Sequence, residues 1–207
     1  MRVLLTGFGP FPGAPFNLSA VLVKALARRR RPALATIDRT THVFATTYAA
    51  VDRDLPKLFA ENPDIVLMFG LAGHRRRLRI ETRARNAVSV LFPDASGHRP
   101  KQSVIVLGGP PRLKGRAPCA RLVGAVRATA VPARLSRDAG RYLCNYAYWR
   151  ALEQTRGGGP LVQFVHIPPI SRNPRPRRRS RQPSPSLPQL VDAAEALLIA
   201  LVAASRC

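Results

Sequence analysis

Short apolar segments alternate with amphipathic segments along the chain, and this alternation constrains the fold more than any other feature. The clearest apolar segment, Asp64 to Phe69, ends at Gly70 and is typical of a strand buried on both faces of a sheet. The pattern predicts helices over residues 19–29, 51–61, 115–130, 144–154 and 188–204, and strands over residues 2–6, 40–47, 64–69, 133–136 and 161–165, with an extended segment at 80–90. Strands that alternate with helices indicate an α/β fold, here a single-domain three-layer α/β/α sandwich over residues 1–207 around a largely parallel (mixed) twisted sheet.

In sheets of this kind, functional groups gather where the parallel strands end. The predicted strands end at Gly7 and Phe8, at Gly70 and Leu71, and at His166. These three strand ends are therefore the first place to look for a site.

No stretch is expected to be long and apolar enough to cross a membrane. The best candidate, Leu190 to Ala204, contains Asp192 and Glu195 and is interpreted as an amphipathic terminal helix. The first residues are predicted to form a buried strand, because they are too few for a signal peptide and lack a small-residue cleavage site. We therefore expect a cytoplasmic protein with no membrane partner.

The three cysteines, Cys119, Cys144 and Cys207, are widely spaced, and no CxxC pair accompanies them. The four histidines are scattered and show no HExxH-type spacing. A disulfide framework and a zinc site are both disfavoured by these spacings. We expect no metal and no cofactor.

The formal net charge of +23 comes from 34 basic against 11 acidic residues, and most of the basic residues are arginines. They cluster at residues 28–31, 75–77 and 172–181. A nucleic-acid surface is one interpretation, but readers of single strands usually interleave aromatic residues, and these clusters contain none. We therefore expect weak, non-specific binding of polyanions and no specific nucleic-acid partner. A basic nucleic-acid-binding protein remains an alternative.

Residues 172–188 are rich in proline, arginine and serine and show no apolar periodicity. The composition predicts a mobile surface loop. An apolar helix follows, so the loop is not a domain boundary.

Cys144 begins a predicted helix, where unpaired backbone N–H groups and the helix dipole favour a thiolate. His166 follows the predicted strand 161–165 and could act as the base of this thiol from the strand tip. An acid that orients the imidazole would complete a nucleophilic triad. Cys119 and Cys207 lack such surroundings and are interpreted as ordinary core residues.

A glycine- and proline-rich turn follows the first strand and carries Phe8, Phe11 and Asn17. It lacks the Lys-Ser/Thr pair of a phosphate-binding loop and the glycine spacing of a dinucleotide fingerprint. The two rings could line a small apolar pocket, with Asn17 offering an amide donor and acceptor. Alternatively, both rings belong to the core.

Several segments carry a resemblance to a known family. They are Thr6-Gly7-Phe8-x-Pro10-Phe11-x-Gly13 with Asn17-x-Ser19, Gly70-x-Ala72-Gly73 with Glu81-x-x-Ala84-x-Asn86, Pro93-Asp94, Ser136-x-x-Ala139-Gly140-x-x-x-Cys144-Asn145, and Phe164-Val165-His166-Ile167-Pro168. In order and spacing they resemble the type I pyroglutamyl peptidases (pyrrolidone-carboxylate peptidases), from residue 2 to about residue 170.

The resemblance implies a cytosolic cysteine-type omega peptidase with an α/β/α sandwich that needs no metal or cofactor and removes N-terminal pyroglutamyl (5-oxoprolyl) residues from peptides. It implies that Cys144 is the nucleophile, His166 the general base and acid, and Glu81 the group that orients the imidazole. Peptides with N-terminal pyroglutamate are then the partners, and a homo-oligomer, dimer or tetramer, is possible.

The residues expected to bind the substrate are Phe8, Phe11, Asn17, Leu71, Phe92, Tyr142 and Leu143. Leu71 stands where many members have glutamine, and His74 with residues 75–77 replaces a milder loop near Glu81. These departures leave open a degenerate member with altered or no activity.

Overall fold

A computed structural model of the protein describes residues 1–11, 15–73, 76–155, 157–170 and 184–206. The described strands are β1 (Arg2–Phe8), β2 (Asp38–Phe44), β3 (Ile65–Leu71), β4 (Leu78–Glu81), β5 (Arg83–Arg85), β6 (Arg112–Lys114), β7 (Ala133–Ser136) and β8 (Leu161–Ile167). The helices are α1 (Leu18–Ala27), α2 (Tyr48–Ala60), α3 (Cys119–Arg127), α4 (Leu143–Glu153) and α5 (Leu187–Ser205), with a short 3-10 helix at Pro32–Leu34.

Six strands form one mixed sheet in the order β2-β1-β3-β8-β4-β7. The pairs β2-β1, β1-β3, β3-β8 and β4-β7 are parallel, whereas β4 runs antiparallel to β8. A separate two-stranded antiparallel sheet consists of β5 and β6. The prediction of a largely parallel, mixed sheet is confirmed.

Helices cover both faces of the sheet, so the predicted three-layer α/β/α architecture is confirmed. One face carries α1, α3 and α5, whose aliphatic side chains pack against alternate strand residues such as Leu67 and Phe69. The other face carries α2 and α4 and is richer in aromatic side chains, with Trp149, Tyr148 and Phe164 fully buried. Alternation of side chains along each strand assigns neighbouring residues to opposite faces.

Local chemistry explains where several helices begin. Asn17 caps α1 by accepting from the backbone N–H of Ser19, and Thr47 caps α2 in the same way. Ser186 and Gln189 form a reciprocal capping box at α5. Helix α3 begins at Cys119 rather than at the predicted residue 115. Ala117 precedes Pro118, and helical backbone is disfavoured for a residue that precedes a proline.

The extended segment predicted at 80–90 is only partly strand. It divides into the end of β4 and the short β5, and the chain beyond Arg85 is irregular. Strand β6 was not predicted, because three residues are too short a run for an alternating pattern to indicate a strand.

Contrary to the expectation above, α5 is long and apolar enough by length and composition to cross a membrane, with a mean hydropathy of 1.7. Half of that stretch is buried against the rest of the protein, including Leu190, Leu197 and Leu201. Residues 172–183 of the predicted loop lie outside the described residues, and its last two residues, 187 and 188, belong to α5.

Candidate active site

Three elements bring Glu81, Cys144 and His166 together on the α2/α4 face of the sheet. His166 lies near the end of β8, two residues after Phe164, whose side chain packs in the aromatic core. Glu81 ends β4, the antiparallel neighbour of β8, and Cys144 is the second residue of α4. Side chains two residues apart on a strand share a face, so this topology turns the imidazole toward α4.

His166 and Glu81 are joined by a direct hydrogen bond. The Nδ1 atom of His166 lies 2.9 Å from the Oε1 atom of Glu81, and both side chains are buried. A carboxylate accepts from the ring N–H, so the contact assigns the proton to Nδ1 and leaves Nε2 for a second partner. The geometry is that of a base whose tautomer is fixed by an acid.

The backbone of Glu81 is also held from two sides. Its carbonyl accepts from the Oη atom of Tyr148 at 3.2 Å and from the Nε2 atom of Gln163 at 2.9 Å. Tyr148 lies on α4 and Gln163 on β8, the two elements that carry Cys144 and His166. These bonds couple the position of the acid to the positions of the thiol and the imidazole.

Cys144 faces His166 closely enough to change its titration. Burial lowers the pKa of His166, but the charge of Cys144 and its hydrogen bond, together with those of Glu81, outweigh burial and raise the pKa to about 9. The imidazole is therefore protonated at neutral pH when it faces a thiolate. A thiolate beside an imidazolium is the reactive form of a cysteine nucleophile.

The first turn of α4 provides donors around Cys144. Within the part of the chain that the structure describes, no side chain caps this helix at Tyr142, and the first helical bond runs from the Tyr146 N–H to the Tyr142 carbonyl. The amide N–H of Cys144 therefore has no helical acceptor and points, with the dipole, toward the helix start. An anion that forms there is stabilised by this amide.

Gly70 leaves the space that Cys144 occupies. A Cβ atom at Gly70 would lie 2.7 Å from the Sγ atom of Cys144 and 2.9 Å from the ring of Phe164. The sequence placed Gly70 at the end of a strand and in a family-like segment, without indicating that it faces Cys144. The missed signal was a glycine at the end of a buried strand, which often marks a close approach by another group.

Asn145 and Asn86 are buried or partly buried and bond to backbone. Asn145 donates to the carbonyls of Arg85 and Ala87 at 2.8 and 2.9 Å and accepts from the Arg85 N–H at 2.9 Å. Asn86 accepts from the N–H groups of residues 105 and 106. They fix the segment beside β5 to the start of α4 and to the loop before β6.

The predicted aromatic and amide residues near the first strand have structural partners. Phe8 is 2% exposed and packs against Phe44 in the core, and Phe11 is partly buried. The Asn17 amide donates to the Gly9 carbonyl at 2.9 Å and accepts from the N–H and hydroxyl groups of Ser19. Among the described residues, one N–H of the Asn17 amide has no acceptor. Residues 12–14 lie outside the described residues.

Leu71 was expected to bind the substrate, and the structure places its side chain away from Cys144. The side chain packs against the aliphatic core on the face of the sheet opposite Cys144. Strand alternation is the reason: Gly70 faces α4, so its successor faces the other layer. Of the replaced loop near Glu81, His74 and Arg75 lie outside the described residues.

The remaining residues expected to bind the substrate, Phe92, Tyr142 and Leu143, lie beside or within the first turn of α4. Tyr142 donates from its hydroxyl to the Pro93 carbonyl at 2.9 Å, and the Ser89 N–H donates to the Arg141 carbonyl at 2.6 Å. These bonds hold residues 89–93 next to the start of α4, with Phe92 65% exposed. Leu143 is buried in the aromatic core.

Asp94 was missed as an organising residue of this segment. Its carboxylate is 2% exposed and accepts from the Tyr48 N–H at 3.0 Å, from both the N–H and hydroxyl of Ser96, and from the His98 N–H. Burial raises the pKa of Asp94, but these hydrogen bonds outweigh it, so the pKa lies below its usual value. The sequence signal was an Asp followed by Ser and Gly, typical of a carboxylate that closes a turn.

Comparison with known proteins agrees with this geometry. The family model described as "Pyroglutamyl peptidase" matches residues 1–207. The chain is 32% identical over 198 residues to a pyrrolidone-carboxylate peptidase of Vibrio vulnificus, covering 96% of this chain and 91% of the relative. It is 33% identical over 171 residues to one of Thermococcus kodakarensis, covering 81% of each.

Solved structures show the same fold. The pyroglutamyl peptidase I of Bacillus amyloliquefaciens matches with a TM-score of 0.82 at 28% identity, covering 98% of this chain and 97% of that one. The pyrrolidone carboxyl peptidase of Thermococcus litoralis matches with a TM-score of 0.86 at 25% identity, covering 98% and 93%. The chain therefore belongs to the pyroglutamyl peptidase family of cysteine peptidases.

Proposed function

We propose that the protein is a cysteine exopeptidase that removes N-terminal pyroglutamyl residues from peptides, with Cys144 as the nucleophile, His166 as the general base and acid, and Glu81 as the orienting acid. The observation that carries the assignment is the 2.9 Å bond between His166 and Glu81, in contact with a cysteine in the first turn of a helix. Family membership supplies the substrate class.

The reaction follows from these positions. The Cys144 thiolate attacks the carbonyl carbon that joins the pyroglutamyl ring to the next residue, and the oxyanion is stabilised by the Cys144 backbone N–H. His166 gives a proton to the leaving amine, and a thioester remains on the sulfur. A water molecule, deprotonated by His166, attacks the thioester and releases 5-oxoproline and the free thiol. Glu81 accepts from the Nδ1 N–H and holds the imidazole in one tautomer.

The pyroglutamyl ring is small, flat and uncharged, and it offers one amide N–H and one carbonyl. An apolar slot built from Phe8, Phe11, Phe92, Tyr142 and Leu143 suits such a ring. The amide N–H of Asn17 that has no acceptor among the described residues suits its carbonyl. Support is strongest for Phe92 and Tyr142, which lie next to the helix start that carries Cys144. Leu71 serves this slot through its backbone, because its side chain packs on the other face.

We further propose that the enzyme acts in the cytoplasm, is able to form a homo-oligomer, and uses neither metal nor cofactor. The free thiols of Cys119 and Cys144 support a reducing compartment. The pKa of the Cys119 thiol is raised by burial, which suits an inert core residue rather than a second nucleophile.

The first test is release of a fluorophore from a pyroglutamyl amide, beside an unblocked prolyl amide, for the wild type, Cys144→Ala and Cys119→Ala. We expect cleavage of the lactam substrate alone, loss of turnover by at least about 10³-fold in Cys144→Ala, and near-normal turnover in Cys119→Ala. Circular dichroism of each variant controls for folding. Equal activity in the wild type and Cys144→Ala would contradict the mechanism. A well-folded wild type with no activity would favour a degenerate member.

A further inference from the structure

Arg79 lies against the carboxylate of Glu81. It precedes Glu81 by two residues on β4, on the same face of the sheet, and stands opposite His166 in the antiparallel register. Its Nε atom is 3.4 Å from the Oε1 atom of Glu81, the same oxygen that contacts His166 at 2.9 Å. The side chain of Arg79 is only 13% exposed.

The guanidinium is held in place from its other end. Its Nη2 atom donates to the Ser136 hydroxyl and, at 2.6 Å, to the Asp138 carbonyl. Both partners lie at the end of β7 or just beyond it, so the neighbouring strand fixes the arginine. The Nε atom makes no aligned hydrogen bond among the described residues, so its contact with the Glu81 carboxylate at 3.4 Å is an ion pair.

The surroundings give Arg79 no better carboxylate. It lines a groove of about 880 Å³ whose other charged residues are mainly cations. They are Arg83, Arg112, Lys114, Arg134 and Arg137. The groove's single acid, Asp138, forms its ion pair with Arg85 at 3.3 Å and also interacts through charge with Arg79, but its side chain is 57% exposed. Repulsion by these cations adds to the attraction that draws Arg79 toward the buried glutamate.

Glu81 needs such a partner, because it is fully buried and its second oxygen, Oε2, has no hydrogen-bond partner in the described structure. The other groups around it are His166 on β8, Tyr148 on α4 and Cys119 on α3, and Cys144 lies beyond the imidazole. Of these, His166 alone carries positive charge, and it loses that charge during the reaction. Arg79 is the described residue that supplies a permanent positive charge.

We propose that Arg79 is a positioning residue of the reaction, which keeps the Glu81 carboxylate charged and aimed at the Nδ1 atom of His166. The proposal rests on the proposed triad. Without the guanidinium, a buried carboxylate takes up a proton more readily as the pH falls, and His166 then loses the acid that fixes its tautomer. The consequence is a loss of turnover that grows toward acidic pH.

The test compares Arg79→Gln, Arg79→Lys and the matched control Arg83→Gln over pH 5 to 9, with kcat and KM measured separately on the pyroglutamyl amide. Arg83 lines the same groove and donates to the Arg137 carbonyl, with no contact to Glu81, so the control removes an equal charge. We expect Arg79→Gln to lower kcat by about 10- to 100-fold at neutral pH, with KM nearly unchanged. The acidic limb of its kcat profile should move up by about one pH unit. Arg79→Lys, which keeps the positive charge, should retain part of the kcat and part of the acidic limb that Arg79→Gln loses.

A purely structural role would lower the melting temperature without moving the acidic limb, and that result would overturn the proposal. The proposal would also be overturned if the pH profile of kcat were the same in Arg79→Gln as in Arg83→Gln. Cys144→Ala and Glu81→Gln, assayed alongside, separate the two proposals. If both are inactive while Arg79→Gln matches the control, the triad stands and the role of Arg79 fails. If Cys144→Ala is active, the triad itself fails.

Discussion

The two faces of the sheet use buried charge in opposite ways. On the face covered by α1, α3 and α5, the core is almost wholly aliphatic, and its buried acid, Glu195, lies at the rim. On the face covered by α2 and α4, the core is richer in aromatic side chains, and the buried acid Glu81 is hydrogen-bonded to His166. The first face contributes mainly apolar packing to stability, and the second carries the residues of the proposed triad.

The partners of the two glutamates explain the difference. Glu195 bonds to the Nε atoms of Arg29 and Arg31 at 3.1 and 3.0 Å, and both arginine side chains reach solvent. Those pairs tie α5 to the residues that follow α1, and a guanidinium is a permanent cation. Glu81 has one fixed cation, Arg79, and one partner, His166, that can give up its proton, with a pKa raised to about 9. A buried acid becomes useful for catalysis when a partner can exchange a proton.

The largest loss of activity should follow from filling the space between Gly70 on β3 and the sulfur atom of Cys144. Gly70→Ala places a methyl group 2.7 Å from the Sγ atom of Cys144, and either the thiol or the ring of Phe164 must move. Displacing a reacting atom by about 1 Å costs on the order of 10²-fold in turnover, so we expect at least that loss in kcat/KM. Steady-state kinetics and the rate of thiol alkylation measure it. Full activity in Gly70→Ala would show that the α2/α4 face tolerates repacking at the site.

The next effect belongs to the aliphatic face. Leu198 is fully buried on α5, and Leu198→Ala should lower the free energy of unfolding by about 2–5 kcal/mol through lost burial and a cavity. Urea denaturation measures the change. We expect kcat/KM of the folded fraction to stay within about twofold of the wild type, because distant sites act independently. A large loss of kcat without a loss of stability would break the division between the faces.

The smallest effect concerns a carboxylate on the functional face that does not take part in the reaction. Asp94→Asn replaces one acceptor oxygen by a donor facing the N–H of Tyr48, and should cost about 1–3 kcal/mol at neutral pH. The folded protein holds the pKa of Asp94 below its usual value, so its stabilisation is present at neutral pH and is lost as pH falls through the folded pKa.

The stability difference between the wild type and Asp94→Asn should therefore shrink as the pH falls below about 4. Thermal unfolding at a series of pH values measures this. A difference that stays constant down to pH 2 would show that Asp94 acts by shape rather than by charge.

Sequence patterns located most of the elements and the three residues of the proposed triad. The predicted strand 133–136 is observed with the same bounds, and helix α4 begins one residue before the predicted start. Local signals suffice here, because β-branched and apolar runs, caps and glycine stops act within a few residues. Cys144 and His166 stood out for the same reason, since a helix start and a strand tip are local features.

Contacts between distant segments could not be predicted in the same way. Nothing local indicates that Gly70 faces Cys144, that Leu71 faces the other layer, or that Asp94 binds the start of α2. Likewise the place of Arg79 depends on the pairing of β4 with β8 and β7. The sequence by itself determined which groups are available and on which kind of element each lies. Only the tertiary structure decided which of them meet, because strand order and side-chain alternation set distances between residues that are far apart in the chain.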